Sequence, residues 1–168
     1  MISTALARIP VGVVVELRKG RSAWAGFLWR PVSVFAGSPS AAPWTPLDAE
    51  GEAMLFYAGE AVIELYRTET TNYRENLASG SPALWVNLRS TASEPPYELL
   101  NVTADPAEGE AFTDAGSNLI EAVPMPAGIV EIVERFVREH HVERPFLKRK
   151  RGRQMSSPGN AVGGADDD

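Results

Sequence analysis

The chain has 168 residues, no cysteine and a formal net charge of −6. That length suits one domain with a core of its own, and the missing cysteine removes disulfides, cysteine-based zinc sites, iron–sulfur ligation and thiol nucleophiles together. The charge is divided: residues 1–143 carry ten Lys/Arg against nineteen Asp/Glu, a balance of −9, and residues 144–168 carry six against three, a balance of +3. An acidic body is repelled by phosphate backbones and anionic membranes, so any contact of that kind falls to the basic end alone.

The start, "MISTALARIPVGVVVELRKG", has a single Arg8 ahead of a short apolar run that reaches Glu16. It is neither a signal-peptide core nor a membrane span, so a cytoplasmic protein is the expectation. Within it "ARIPVGVVVEL", residues 7–17, is rich in β-branched residues and reads as a strand that stops at "RKGRS". "FLWRPVSVF", residues 27–35, is a second strand. Pro10 and Pro31 lack the amide hydrogen that a central strand uses, which predicts an edge or a bulge at both points. "AGSPSAAPWTPLDAEGE" reads as a long surface loop from which Trp44 folds back onto the body.

"MLFYAGEAVIELYR" breaks at Ala58-Gly59-Glu60 and reads as a hairpin, with Ile63 and Leu65 on one face and Val62, Glu64 and Tyr66 on the other. "TETTNYRENLASGSP" is polar and rich in turn residues, with room for one helical turn. "ALWVNLR" and "YELLNVTA" are further strands around the turn cluster "STASEPP". In "DPAEGEAFTDAG", Asp105 is placed to cap a helix, Pro106 suits its first position, Glu108 completes a capping box and Gly116 stops it. "NLIEAVPMP" gives a seventh strand. "PAGIVEIVERFVREHH" carries apolar residues at 129, 132, 133, 136 and 137, one stripe of a helix, with Glu131/Arg135 and Glu134/Arg138 on the opposite face. The expected fold is α+β: one curved or partly closed antiparallel sheet of six to seven strands, a short helix and a C-terminal amphipathic helix. The domain is expected to occupy residues 1–147. Residues 148–168, basic and then Gly/Asp-rich, have too little to bury to offset their ordering entropy and read as a disordered tail.

No local pattern pairs a nucleophile with a base, and there is no phosphate loop, dinucleotide fingerprint, G-x-S-x-G or H-E-x-x-H. His140 and His141 diverge by about 100° on a helix and have no third histidine or cysteine to join them, so the simpler reading is a pair that meets the negative end of a helix. Asn101 in "NVT" matches a glycosylation acceptor, which carries no weight in a cytoplasmic chain. Trp24, Trp29, Trp44 and Trp85 offer an aromatic platform for bases or sugars, but three of them stand in or beside strand-like apolar runs and read more simply as core. The basic run lacks aromatic interleaving beyond Phe146, and no specific nucleic-acid contact is expected of it.

The succession "RIPVGVVVE", "WRPVSVFAG", "FYAGEAVIELYRTETTNYRENL", "PALWVNLR", "VTADPAEGEAFTDAG" and "VPMPAGIVEIVERFVREHHVERPFLKRKR" resembles an uncharacterised proteobacterial family, domain of unknown function 3305. The resemblance runs from Ala7 to Arg151, its most specific part is "HHVERPFLKRKR", and it leaves out residues 37–52 and the final "QMSSPGNAVGGADDD". Members of that family lie in gene clusters for molybdenum-dependent formate dehydrogenase and its accessory proteins. The resemblance therefore implies a role in the assembly or function of that enzyme and supplies no catalytic residues.

Two readings follow. The first is a non-enzymatic accessory or interaction protein, without cofactor or metal, that docks on a protein partner such as a formate dehydrogenase subunit or accessory factor. Its contacts would be His140, His141, Arg144, Pro145, Phe146, Lys148, Arg149, Lys150 and Arg151, a basic run with an apolar anchor. The second is a small-ligand or cofactor-binding domain for a phosphate-bearing ligand such as a molybdenum-cofactor precursor, held by Arg30, Tyr73, Arg74, Asn76 and Arg89.

Overall fold

The computed structural model of the protein describes residues 4–20, 26–113 and 116–141. In chain order the elements are β1 (Ala7–Lys19), β2 (Phe27–Ala36), β3 (Thr45–Glu50), β4 (Ala53–Leu65), a 3-10 turn (Arg67–Glu69) running into α1 (Thr70–Ala78), β5 (Ala83–Ser90), β6 (Tyr97–Thr103), α2 (Pro106–Thr113), β7 (Leu119–Pro124) and α3 (Ala127–His140). The fold is α+β and its strand pairings are antiparallel. The single curved sheet expected from the strand count is not what forms. The strands divide into a four-stranded sheet, β2-β1-β4-β3, and a three-stranded sheet, β6-β5-β7. β4 runs beside β6 and β2 beside β7, but among the described residues no ladder joins the two sheets. Strand number and spacing do not determine sheet membership, which depends on pairings between distant segments.

Both prolines sit where their missing donors cost least. Opposite Pro31 the β1–β2 register slips between Val14 and Val15, leaving Val32 as a bulged residue. Pro10 points its carbonyl at Gly37 N (2.8 Å), at the end of β2, where the ladder starts only with Val11 and Ala36. The expected hairpin at Ala58-Gly59-Glu60 is a correction: β4 is one continuous strand. Val13 pairs with Gly59 and Val14 with Tyr57, so Ala58 is the extra residue of a bulge. Gly59 has φ +137, beyond the ordinary range of L-residues. A tight turn and a bulge share this glycine signal, because both ask for backbone that other residues resist. The expected long loop likewise contains β3, an edge strand with Pro46 beside an irregular register. The stretch given one helical turn forms the nine residues of α1.

Trp44 does fold back. Its N–H donates to Tyr57 O and its ring stands edge-on to Trp29 at 5.7 Å, from a backbone with φ +67. Phe56 and Tyr97 complete an aromatic cluster around Trp29.

One hydrophobic core gathers both sheets. Ile9, Val11, Val13, Val15, Ile63 and Leu65 enter from the larger sheet, and Leu84, Val86, Leu88, Val102 and Val123 from the smaller. α3 adds Ile129, Val133, Phe136 and Val137, the predicted stripe, with Ile132 half-buried and Glu131, Glu134, Arg135 and Arg138 exposed. Each such side chain contributes roughly 1.5–3 kcal/mol when removed from water, which fixes α3 against the core and α1 beside it. Tyr73 of α1 meets Phe136 of α3 edge-on at 6.0 Å.

Candidate functional site

Most of the polar chemistry lies around α1, at the junction of α2, β5 and the end of α3. Asn76 is buried. Its amide nitrogen donates to Ala83 O (2.8 Å) and Ala104 O (3.0 Å), and its oxygen accepts from Ala83 N (3.0 Å). Tyr73 is buried as well, its phenol oxygen accepting from Tyr66 N at 2.9 Å. Burial pushes the Tyr73 phenol up to about 12; the Tyr66 N–H opposes the shift, and the carboxylates of Asp105, Glu69 and Glu108 reinforce it.

Asp105 caps α2 as the sequence implies. One carboxylate oxygen accepts from Ala107 N at 2.9 Å and from the Asn72 amide at 3.0 Å, tying α2 to α1. The capping box closes through an intermediary. Asp105 N donates to Thr103 Oγ1 (3.1 Å), and that hydroxyl donates to Glu108 Oε1 (2.5 Å). Next to this cap, Asn72, Glu75, Trp85, Pro106, Ala107 and Glu110 line a cleft of about 320 Å³. Gly109 of α2 lies against Trp85 so closely that a β-carbon there would come within 2.4 Å of the ring's Cγ.

α3 ends on α1. The His140 ring packs on Phe136 with centroids 4.5 Å apart. His141 N donates to Val137 O at 2.8 Å, closing the helix, and its imidazole reaches Thr70 Oγ1 from Nδ1 (3.0 Å) and Arg74 Nη1 from Nε2 (2.8 Å). A guanidinium only donates, so Nε2 accepts and Nδ1 carries the proton given to Thr70. Thr70 Oγ1 in turn donates to Arg67 O at 3.3 Å. The adjacent histidines thus diverge, and among the described residues no group of three His, Cys, Asp or Glu could hold a metal ion.

The structure does not bring the remaining predicted residues together. Arg30 of β2 pairs with Glu16 at 3.5 Å, and Arg89 of β5 pairs with Glu98 of β6. Tyr73 and Asn76 are engaged inside the fold, and Arg74 holds His141. Arg144, Pro145, Phe146, Lys148, Arg149, Lys150 and Arg151 lie outside the described residues, as do Trp24 and the expected tail. Trp85 stands apart from the Trp29–Trp44 pair, in the cleft. The Oδ1 of Asn101 is buried with no hydrogen-bond partner among the described residues. Sequence reasoning missed Asn72, Glu75, Trp85 and Glu110 as neighbours because they come from three elements; no local pattern unites them.

Residues 10–150 match the model of a family described as Protein of unknown function (DUF3305). The chain belongs to that family. The match runs through His140 and His141 to Lys150, so it spans most of the basic run. Comparison with curated proteins and with solved structures finds no match. Among the described residues of this DUF3305 chain no helix is long and apolar enough to cross a membrane.

Proposed function

We propose that this DUF3305 protein is a non-catalytic, cytoplasmic interaction module, an accessory component of a molybdenum-dependent formate dehydrogenase system. It docks on a protein partner through the end of α3 and the segment that follows. The observation that carries the reading is the fixing of His141 to Thr70 and Arg74, 71 and 67 residues away in sequence. His141 is thereby a fixed point on the domain, separated by two residues from Arg144–Arg151, and a family match reaching Lys150 supports a role for that run. A fixed origin lowers the entropy lost when such a segment is captured. The formate dehydrogenase assignment rests on the resemblance alone.

Co-purification of the full-length protein and of a chain lacking residues 144–153 from native extract tests both parts. Formate dehydrogenase components are expected with the first and not with the second. An unchanged set of partners would remove the segment's role, and the absence of any such component from both samples would remove the enzyme system. A phosphate-bearing ligand is less well supported. The arginines offered for it lie on separate elements, two of them beside carboxylates, and the cleft's own charges are acidic.

A further inference from the structure

The cleft beside the α2 cap is chemically one-sided. Its apolar wall is the half-buried indole of Trp85, held by the backbone of α2 at Gly109. Its charged groups are Glu75 of α1 and Glu110 of α2, both exposed, with the Asn72 amide between cap and cleft. The residues lining it include no cation. An indole face with carboxylates beside it suits a guanidinium or ammonium group: the ring quadrupole attracts the cation and the carboxylates supply the countercharge. An anion would meet repulsion.

The last described residue, His141, is bonded to Thr70 and Arg74, on the side of α1 away from Asn72 and Glu75 of the cleft. Residues 142–147 separate that point from Lys148-Arg149-Lys150-Arg151. Such a segment spans up to ~20 Å when extended, and a helix with its side chains is only ~10–12 Å across, so the basic run reaches around α1 without strain. Charge complementarity and length agree.

We propose that the cleft binds the chain's own basic run, with a Lys or Arg of Lys148–Arg151 seated on Trp85 between Glu75 and Glu110. In that state the run is masked, and anything that takes it competes with the cleft. This goes beyond the docking reading and stands without it, since folding back requires no partner.

The absence of cysteine makes the test direct, because one introduced thiol is the only one in the protein. The full chain with Gly152→Cys carries a nitroxide, and the indole N–H of Trp85 is followed by NMR, identified by its loss in Trp85→Phe. At low salt this signal and the amides of Ala107 and Glu110 are expected to lose most of their intensity, with Trp29 spared. Intensity should return in the Glu75→Gln/Glu110→Gln double variant, whose changes are at exposed positions, and on raising salt. Full Trp85 intensity in the starting chain, or broadening that survives the double variant, would overturn the proposal. So would broadening seen only when a spin-labelled chain is mixed with a separate isotope-enriched one, because the occupant would then be a second copy.

Discussion

Asn76 of α1 and Ala83 of β5 exchange two hydrogen bonds, 2.8 Å from the side-chain amide to the carbonyl and 3.0 Å from the backbone N–H to the side-chain oxygen. The asparagine thus pairs with β5 as a neighbouring strand would, and its second proton goes to Ala104 O. Truncation leaves a donor and two acceptors without partners in a buried place. Asn76→Ala is expected to cost ~2–5 kcal/mol in urea unfolding. Asn76→Asp should cost at least as much at neutral pH, because a carboxylate would face two carbonyl oxygens. An Asn76→Ala protein as stable as the parent would show that Ala83 and Ala104 find other partners.

Gly109 offers a test with opposing terms. Alanine is favoured over glycine inside a helix by ~1 kcal/mol. Here its β-carbon would meet the Trp85 ring at 2.4 Å, with further ring atoms at 2.7 Å. Overpacking dominates, and Gly109→Ala is expected to lose a net ~1–3 kcal/mol and to shift tryptophan emission. Combining it with Trp85→Leu should recover most of that loss; a raised Tm in the single variant would contradict the close packing.

The Tyr73 phenol sets an alkaline limit. Its value of about 12 in the fold exceeds the ordinary phenol value of 10.0. The unfolded chain therefore releases this proton first, and stability is fully present below pH ~10 and declines as pH rises toward ~12. The decline attributable to this group is up to ~2–3 kcal/mol. Tyr73→Phe should flatten the dependence of urea midpoint on pH above ~10, measured against the parent. An equal slope in both proteins would assign the alkaline loss elsewhere.

Nucleic acid binding is expected to be weak, independent of sequence and confined to low salt. A grip using about five phosphates gives a slope of log affinity against log salt of about −4 to −5 on duplex DNA. The −9 charge of residues 1–143 opposes it. Fluorescence anisotropy across a salt series should show binding that vanishes when Lys148–Arg151 are neutralised. Submicromolar affinity for one defined sequence at physiological salt would make the protein a regulator.

What was legible in the sequence followed from short periods. β1 and α3 declare themselves because a run rich in β-branched residues and a 3.6-residue stripe are local consequences of burial. β3 stayed hidden since Pro46, Asp48 and Glu50 spoil its pattern, and an edge strand borrows its order from β4. The division into two sheets depends on which distant strands pair, for which no local pattern exists. Tyr73 and Asn76 look like ligand contacts in a polar stretch, yet their spacing of three puts both on one helical face, and that face points inward. The cleft was invisible because Glu75, Trp85 and Glu110 become neighbours only after α2 docks on β5.

The bonds from His141 to Thr70 and Arg74 also decide how the protein bears a load. Tension on the C-terminal segment from a large moving partner would first pull on that imidazole, and only after its release on α3, turn by turn from His140 back toward Phe136. Two side-chain contacts thus act as a fuse that yields before the core does. Stretching single molecules from the C-terminus should show an early small extension, absent in His141→Ala, ahead of the cooperative rupture of the sheets.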